Sequence, residues 1–143
     1  MFNKLFVCSQ TDVEKIVPDE GWGVISIRGP RKSVDLNEGW ASILPLEFND
    51  LTAPYANFKC FDESLACELI AHLNNLVTQD TVKVLVIHCE HGVSRSQAVG
   101  MFVQECYAPH LEVPAGPRGV ERYNKLVYNT LLDVYRGYSG EDK

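Results

Sequence analysis

Residues 84–97 read V-L-V-I-H-C-E-H-G-V-S-R-S-Q. A β-branched apolar run ends in His88 and Cys89, a short loop carries Gly92, and Arg95-Ser96 opens a helical pattern. A strand that turns tightly into a helix aims successive backbone amides, together with the helix's positive end, into one concavity. Such a nest suits a tetrahedral dianion. Glu90, His91, Gly92, Val93, Ser94 and Arg95 would supply the amides, and Gly92 would allow the backbone angle the loop needs. The Arg95 guanidinium can fork onto two oxygens of the anion, which a lysine, as a point charge, cannot do. The same positive field favours the thiolate form of Cys89. Types and spacing thus place a sulfur nucleophile inside an anion-binding nest.

Holding that nest in place requires a strand before it, a helix after it and neighbours for both. Residues 82–88 are almost continuously apolar, the pattern of a strand buried on both faces, so a central position is expected. Residues 95–107 can form a helix with Ala98, Val99, Phe102, Val103 and Cys106 inward. Upstream, a short strand is expected over 4–8, then a short helix whose Thr11 and Glu14 match a capping box and which Pro18 ends. A buried strand follows over 24–27, a polar loop over 28–40, and a strand over 42–48 for which Pro45 argues an edge or irregular position. Asp50 lies on the loop leaving that strand. From residue 61 a helix is expected, because Ala66, Leu69, Ile70, Leu73 and Leu76 recur at helical spacing and Asp62 and Glu63 suit its positive end. Prolines and glycines make 109–119 a loop, and a last helix over 120–135 places Tyr123, Leu126, Val127, Thr130, Leu131 and Val134 on one face. The alternation gives an α/β fold: one domain over 1–137, three layers with a small central sheet and helices on both faces, and a disordered tail over 138–143.

Composition narrows the partners. At 143 residues and 45% hydrophobic content the chain can build one ordinary core. Thirteen Lys and Arg against nineteen Asp and Glu leave a net charge of −6, so no basic field attracts nucleic acid or anionic membrane. The first seven residues carry a single lysine and too short an apolar group for a signal peptide, and nothing later resembles a membrane span. A soluble cytoplasmic protein is expected. Cys8, Cys60, Cys67, Cys89 and Cys106 form an odd set without C-x-x-C or Cys/His metal spacing, which implies a reducing compartment and no metal site. Apart from Cys89 they are read as core thiols, the alternative being that one protects Cys89 as a disulfide on oxidation.

His88 to Ser96 resembles the active-site signature of the cysteine-dependent phosphatases, H-C-x5-R-S/T, and in particular the dual-specificity branch with H-C-x-x-G-x-S-R-S. The resemblance implies that family's three-layer fold over residue 24 to the last helix, and a metal-independent phosphomonoester hydrolase without cofactor. Cys89 would attack phosphorus and form a phosphocysteine that water hydrolyses. Arg95 and the loop amides would steady the equatorial oxygens, Ser96 would donate to the sulfur, and His88 would orient the loop without carrying protons. The family protonates its leaving group from an Asp on a loop between a strand and a helix. Asp50 stands in that context, with Asp62 the rival, although Asp62 looks committed to a helix start. Glu90 and His91 are expected at the rim; Arg118, Arg122 and Lys125 could touch substrate near the mouth, but an exposed basic helix start is the preferred reading of them. The implied substrates are phosphotyrosine proteins, with phosphoserine and phosphothreonine proteins also in reach, and phosphate or another oxyanion should occupy the nest. The alternatives are an RNA 5′-phosphatase of the same fold and a phosphate-binding pseudophosphatase.

Overall fold

The structure, a computed structural model, describes residues 1–139. Four parallel strands make the sheet: β1 (Lys4–Ser9), β2 (Trp22–Arg28), β3 (Ser42–Glu47) and β4 (Val84–Cys89), in the order β1-β4-β2-β3. The last strand in sequence is an inner one, as its unbroken apolar run predicts. Leu85 and Ile87 are buried in one core and Val86 in another on the opposite face. β3, with Pro45, pairs only with β2 and forms an edge, where a proline's missing N–H costs no ladder bond. Because the strands are parallel, the loops leaving them gather at one end of the sheet, the end where α/β proteins place their ligands. The register sets Ser9 opposite Cys89 and Ser26 opposite His88.

Three helices cover one face: α2 (Glu63–Gln79), α3 (Arg95–Tyr107) and α4 (Lys125–Ser139). Their apolar stripes carry Ala66, Leu69, Ile70, Leu73 and Leu76 from α2, Ala98, Val99, Phe102 and Val103 from α3, and Val127 and Leu131 from α4. These meet Ile25, Ile27, Leu44, Leu46, Leu85 and Ile87 of the sheet. Among the described residues no helix is long and apolar enough to cross a membrane.

The opposite face is thinner than the expected helical layer. It holds α1 (Gln10–Val13), a single turn, and the segment 29–41, whose Val34, Leu36 and Trp40 pack with Val13 against Val24 and Val86. The cap of α1 also differs from expectation. Ser9, the last residue of β1, accepts the Asp12 amide at 3.2 Å, and Thr11 and Glu14 form no capping box. The chain turns as soon as β1 ends beside Cys89, so the helix starts two residues earlier. Glu14 closes the turn, and its carboxylate accepts the Asp35 amide at 2.7 Å instead.

The last helix is also displaced relative to expectation. It begins at Lys125 rather than residue 120, because the Asn124 side chain accepts the Val127 amide at 3.1 Å and fixes the first turn there. It continues to Ser139, so the first two residues of the expected tail are helical, and the remainder, 140–143, lies outside the described residues.

Candidate active site

β4 delivers Cys89 to the end of the sheet, 2% exposed, and α3 starts six residues later at Arg95. Between them Gly92 has φ +70°, and a Cβ there would lie 2.5 Å from the Cys8 carbonyl carbon, so only glycine lets the loop rest on the end of β1. The loop's carbonyls are engaged from outside: Glu90 O accepts from the Gln10 amide at 3.1 Å, and Ser94 O from the Ala98 and Asn124 amides, both at 3.1 Å. No carbonyl among the described residues takes up an amide of 90–94. The Ser96 hydroxyl stands 3.0 Å from Cys89 Sγ and is itself fully buried. Arg95 is 6% exposed; its Nη1 donates to the Phe48 carbonyl at 2.8 Å, while its buried Nε has no hydrogen-bond partner among the described residues. That bond fixes the plane of the guanidinium and leaves Nε free to donate to an anion.

Behind the loop, His88 is buried completely. Its Nδ1 lies 3.3 Å from the Cys89 carbonyl, which can only accept, so Nδ1 carries the ring proton. Nε2 then accepts from the Ser26 hydroxyl at 2.6 Å, and Ser26 in turn accepts from Arg28. Burial, reinforced by the Arg28 and Arg95 charges, pushes the His88 pKa down to about 4 against the opposing pull of the Cys89 carbonyl. The ring is neutral at pH 7. Its hydrogen bonds hold it in one tautomer.

Asp50 and Asp62 separate clearly. The Asp50 carboxylate lines the cleft over Cys89; its Oδ1 accepts the Ser94 hydroxyl at 2.8 Å and Asn124 Nδ2 at 2.7 Å. Asp62 caps α2, accepting the Leu65 amide at 2.9 Å and Lys59 Nζ at 3.2 Å, and the Leu65 amide is the main reason its pKa falls below the ordinary value. It does not line the cleft.

The cleft encloses about 480 Å³ and is lined by Asp50, Cys89, His91, Val93, Ser94, Arg95, Arg118 and Arg122. Three arginines face one carboxylate in a chain whose net charge is −6, so the positive charge is focused where the nest opens. Glu90 and His91 are exposed at the rim. Lys125 does not line the cleft.

Four supporting residues escape a reading of the sequence. Ser26 and Arg28 act on His88 across the sheet. Gln97, fully buried in α3, donates to Pro114 O and accepts the Gly116 amide, both at 2.7 Å, so the 109–119 loop is tied down against the nest. Asn124 is 2% exposed and joins Asp50 to α4. Only Asn124 had a signal: an asparagine before an apolar helical stripe is a good N-cap.

Of the other cysteines, Cys106 packs against the main core and Cys8 against the smaller one, while none is fully buried. Cys67 is exposed, and Cys8, Cys60 and Cys106 are half-buried. Cys8 neighbours the loop, yet it pairs with His88 rather than Cys89, so its side chain leaves the sheet on the face opposite Sγ. Burial, then the Asp12 and Cys89 charges, pushes its thiol up to about 12.

In sequence the chain matches no family model and no curated protein. In structure it resembles human DUSP28, with a TM-score of 0.62 at 14% identity over 96% of this chain and 94% of that one. It also resembles the human tyrosine phosphatase-like serine/threonine/tyrosine-interacting protein, with a TM-score of 0.58 at 17% identity over 94% and 93%. The likeness spans nearly the whole length of each, and the chain therefore has the α/β fold of the dual-specificity phosphatases.

Proposed function

We propose that this chain is a metal-independent phosphomonoester hydrolase acting on phosphorylated proteins in a reducing compartment such as the cytoplasm. The observation that carries the reading is the convergence of Cys89, Arg95 and Asp50 on one cleft. In the first step the Cys89 thiolate forms an S–P bond as the P–O bond breaks, and the leaving oxygen takes its proton from Asp50. In the second, Asp50 takes a proton from water as that water forms a new P–O bond; the S–P bond breaks, releasing phosphate and the thiolate. Arg95 and the amides of 90–95 stabilise the equatorial oxygens in both steps, and Ser96 donates to the sulfur as nucleophile and as leaving group.

Among the described residues no aromatic side chain lines the cleft to stack a phosphotyrosyl ring. This favours a site that accepts phosphoserine and phosphothreonine as well as phosphotyrosine. One structural neighbour is named phosphatase-like, which keeps a binding-only role in view. Against it stands that Cys89, Arg95 and Asp50, the residues this mechanism needs, all line one cleft. The test is turnover of an aryl phosphate. Cys89→Ser should abolish it, while EDTA leaves the wild type at full rate. A Cys89→Ser protein that still turns over, or a wild type that binds vanadate but hydrolyses nothing, would sink the reading.

A further inference from the structure

Asn124 performs two tasks with the two halves of one side chain. Its Oδ1 accepts the Val127 amide at 3.1 Å and starts α4. Its Nδ2 donates to Asp50 Oδ1 at 2.7 Å and to the Leu51 carbonyl at 3.0 Å. Its backbone amide reaches Ser94 O at 3.1 Å, and the Ser94 hydroxyl donates to the same Asp50 Oδ1 at 2.8 Å. A helix cap needs only the carbonyl half, and serine would serve as well. The amide half is engaged entirely by the loop that carries Asp50.

We propose that Asn124 is a positioning residue for proton transfer: with Ser94 it fixes Oδ1 of Asp50 as the accepting oxygen and leaves Oδ2 to carry the proton. The inference rests on the reading of Asp50 as the acid. An oxygen that accepts from both an amide N–H and a hydroxyl has no room for a proton of its own, so the acidic hydrogen resides on Oδ2. When the P–O bond breaks, the leaving oxygen takes the Oδ2 proton and the electron pair stays on the carboxylate. Oδ2 receives a proton from water in the second step. Asp50 is exposed whereas Asn124 is 2% exposed, so the buried amide supplies the rigidity that the carboxylate's own surroundings lack.

The experiment compares the full chain with Asn124→Ser, Asp50→Ala and the double variant on two substrates. Phenyl phosphate has a poor leaving group that needs the acid, and dinitrophenyl phosphate has a good one that does not. Asn124→Ser keeps a capping oxygen and removes the amide; it should lower kcat/KM roughly tenfold on phenyl phosphate and by less than about twofold on dinitrophenyl phosphate. In the Asp50→Ala background it should add less than about twofold on either substrate. Asn124→Asp, which also caps, sets an acceptor against Oδ1 and should give a selective loss at least as large. This variant decides the matter should the serine variant not fold.

Equal losses on both substrates, or a full further loss in the Asp50→Ala background, would mean that Asn124 acts through the fold alone and would overturn the proposal. So would no loss on either substrate. A wild type that hydrolyses neither substrate removes the phosphatase reading, and an unselective Asp50→Ala removes the acid assignment; each takes the proposal with it. A selective Asp50→Ala beside an unselective Asn124→Ser removes the proposal only.

Discussion

His88 lies between a cation and the Cys89 backbone, and the donor order Arg28, Ser26, His88, Cys89 carbonyl is that of a neutral ring. Burial pushes its pKa from the ordinary 6.5 down to about 4. Above pH 6.5 the ring is neutral whether the chain is folded or unfolded, and titration does not affect stability. Between 6.5 and about 4 the unfolded chain binds the proton and the folded chain does not, so stability falls as pH falls. The loss is at most about 3 kcal/mol across that window. Urea unfolding from pH 7 to 5 should show the decline in the wild type and a shallower one in His88→Asn. The half-buried His72, also lowered by burial, accounts for part of the remaining slope. Equal slopes in the two proteins would show that His88 is not held neutral. At this scale the sequence is most informative where the site is local: Cys89, Gly92, Arg95 and Ser96 lie within eight residues, and their spacing already predicts that they share one loop. Ser26 and Arg28 are invisible there, because they reach His88 only across the sheet, and Asn124 is legible as a helix cap but not as a partner of Asp50, 74 residues away.

Elements carry the site because the loops leaving β3 and β4 end at the same edge of the sheet. The edge strand β3, its proline included, and the inner strand β4 were legible from apolar runs, and so was α3, whose bounds match the helical pattern. The starts of α1 and α4 were not. In both, a different residue caps the helix: Ser9 accepts the Asp12 amide and Asn124 accepts the Val127 amide. The 109–119 loop likewise read only as polar connection, yet it presses on the nest: a Cβ on Gly116 would lie 2.2 Å from the Gly92 carbonyl oxygen and 3.1 Å from Gln97 Oε1. Gly116→Ala must therefore push the Gly92 peptide or break the Gln97 tie. Overpacking of this kind destabilises by about 1–3 kcal/mol. Displacing the nest by even an ångström should lower kcat/KM on an aryl phosphate by on the order of a hundredfold. Turnover measured well below the variant's Tm separates the two effects. A variant that melts earlier yet turns over at the wild-type rate would show that Gly116 only packs and does not shape the nest.

Across the whole molecule the two faces of the sheet are unequal. One is sealed by three helices and a large apolar core, the other by a single turn and the segment 29–41. That segment is held largely by polar bonds to α1. The Asp35 amide and Gln10 Nε2 both reach the Glu14 carboxylate, Gln10 also donates to the Ser33 carbonyl, and Asn37 donates to the Glu14 and Ile16 carbonyls. The Asp35 amide, then Gln10, holds the Glu14 pKa below its ordinary value, so this contribution is present at neutral pH and is lost as acid protonates the carboxylate. Few apolar contacts and exposed polar ties are the marks of a unit that opens by itself. Because α1 also donates the Gln10 amide to Glu90 O, opening of this face would reach the rim of the nest without passing through the main core. Glu14→Ala should accelerate hydrogen exchange at Asp35 and its neighbours over 33–37 several-fold, while the amides of β4, held between β1 and β2, exchange at the wild-type rate. Acceleration of both sets alike would mean that the sheet and its cover unfold as one body, and no acceleration at 33–37 would mean that Val34, Leu36 and Trp40 hold the cover without the carboxylate.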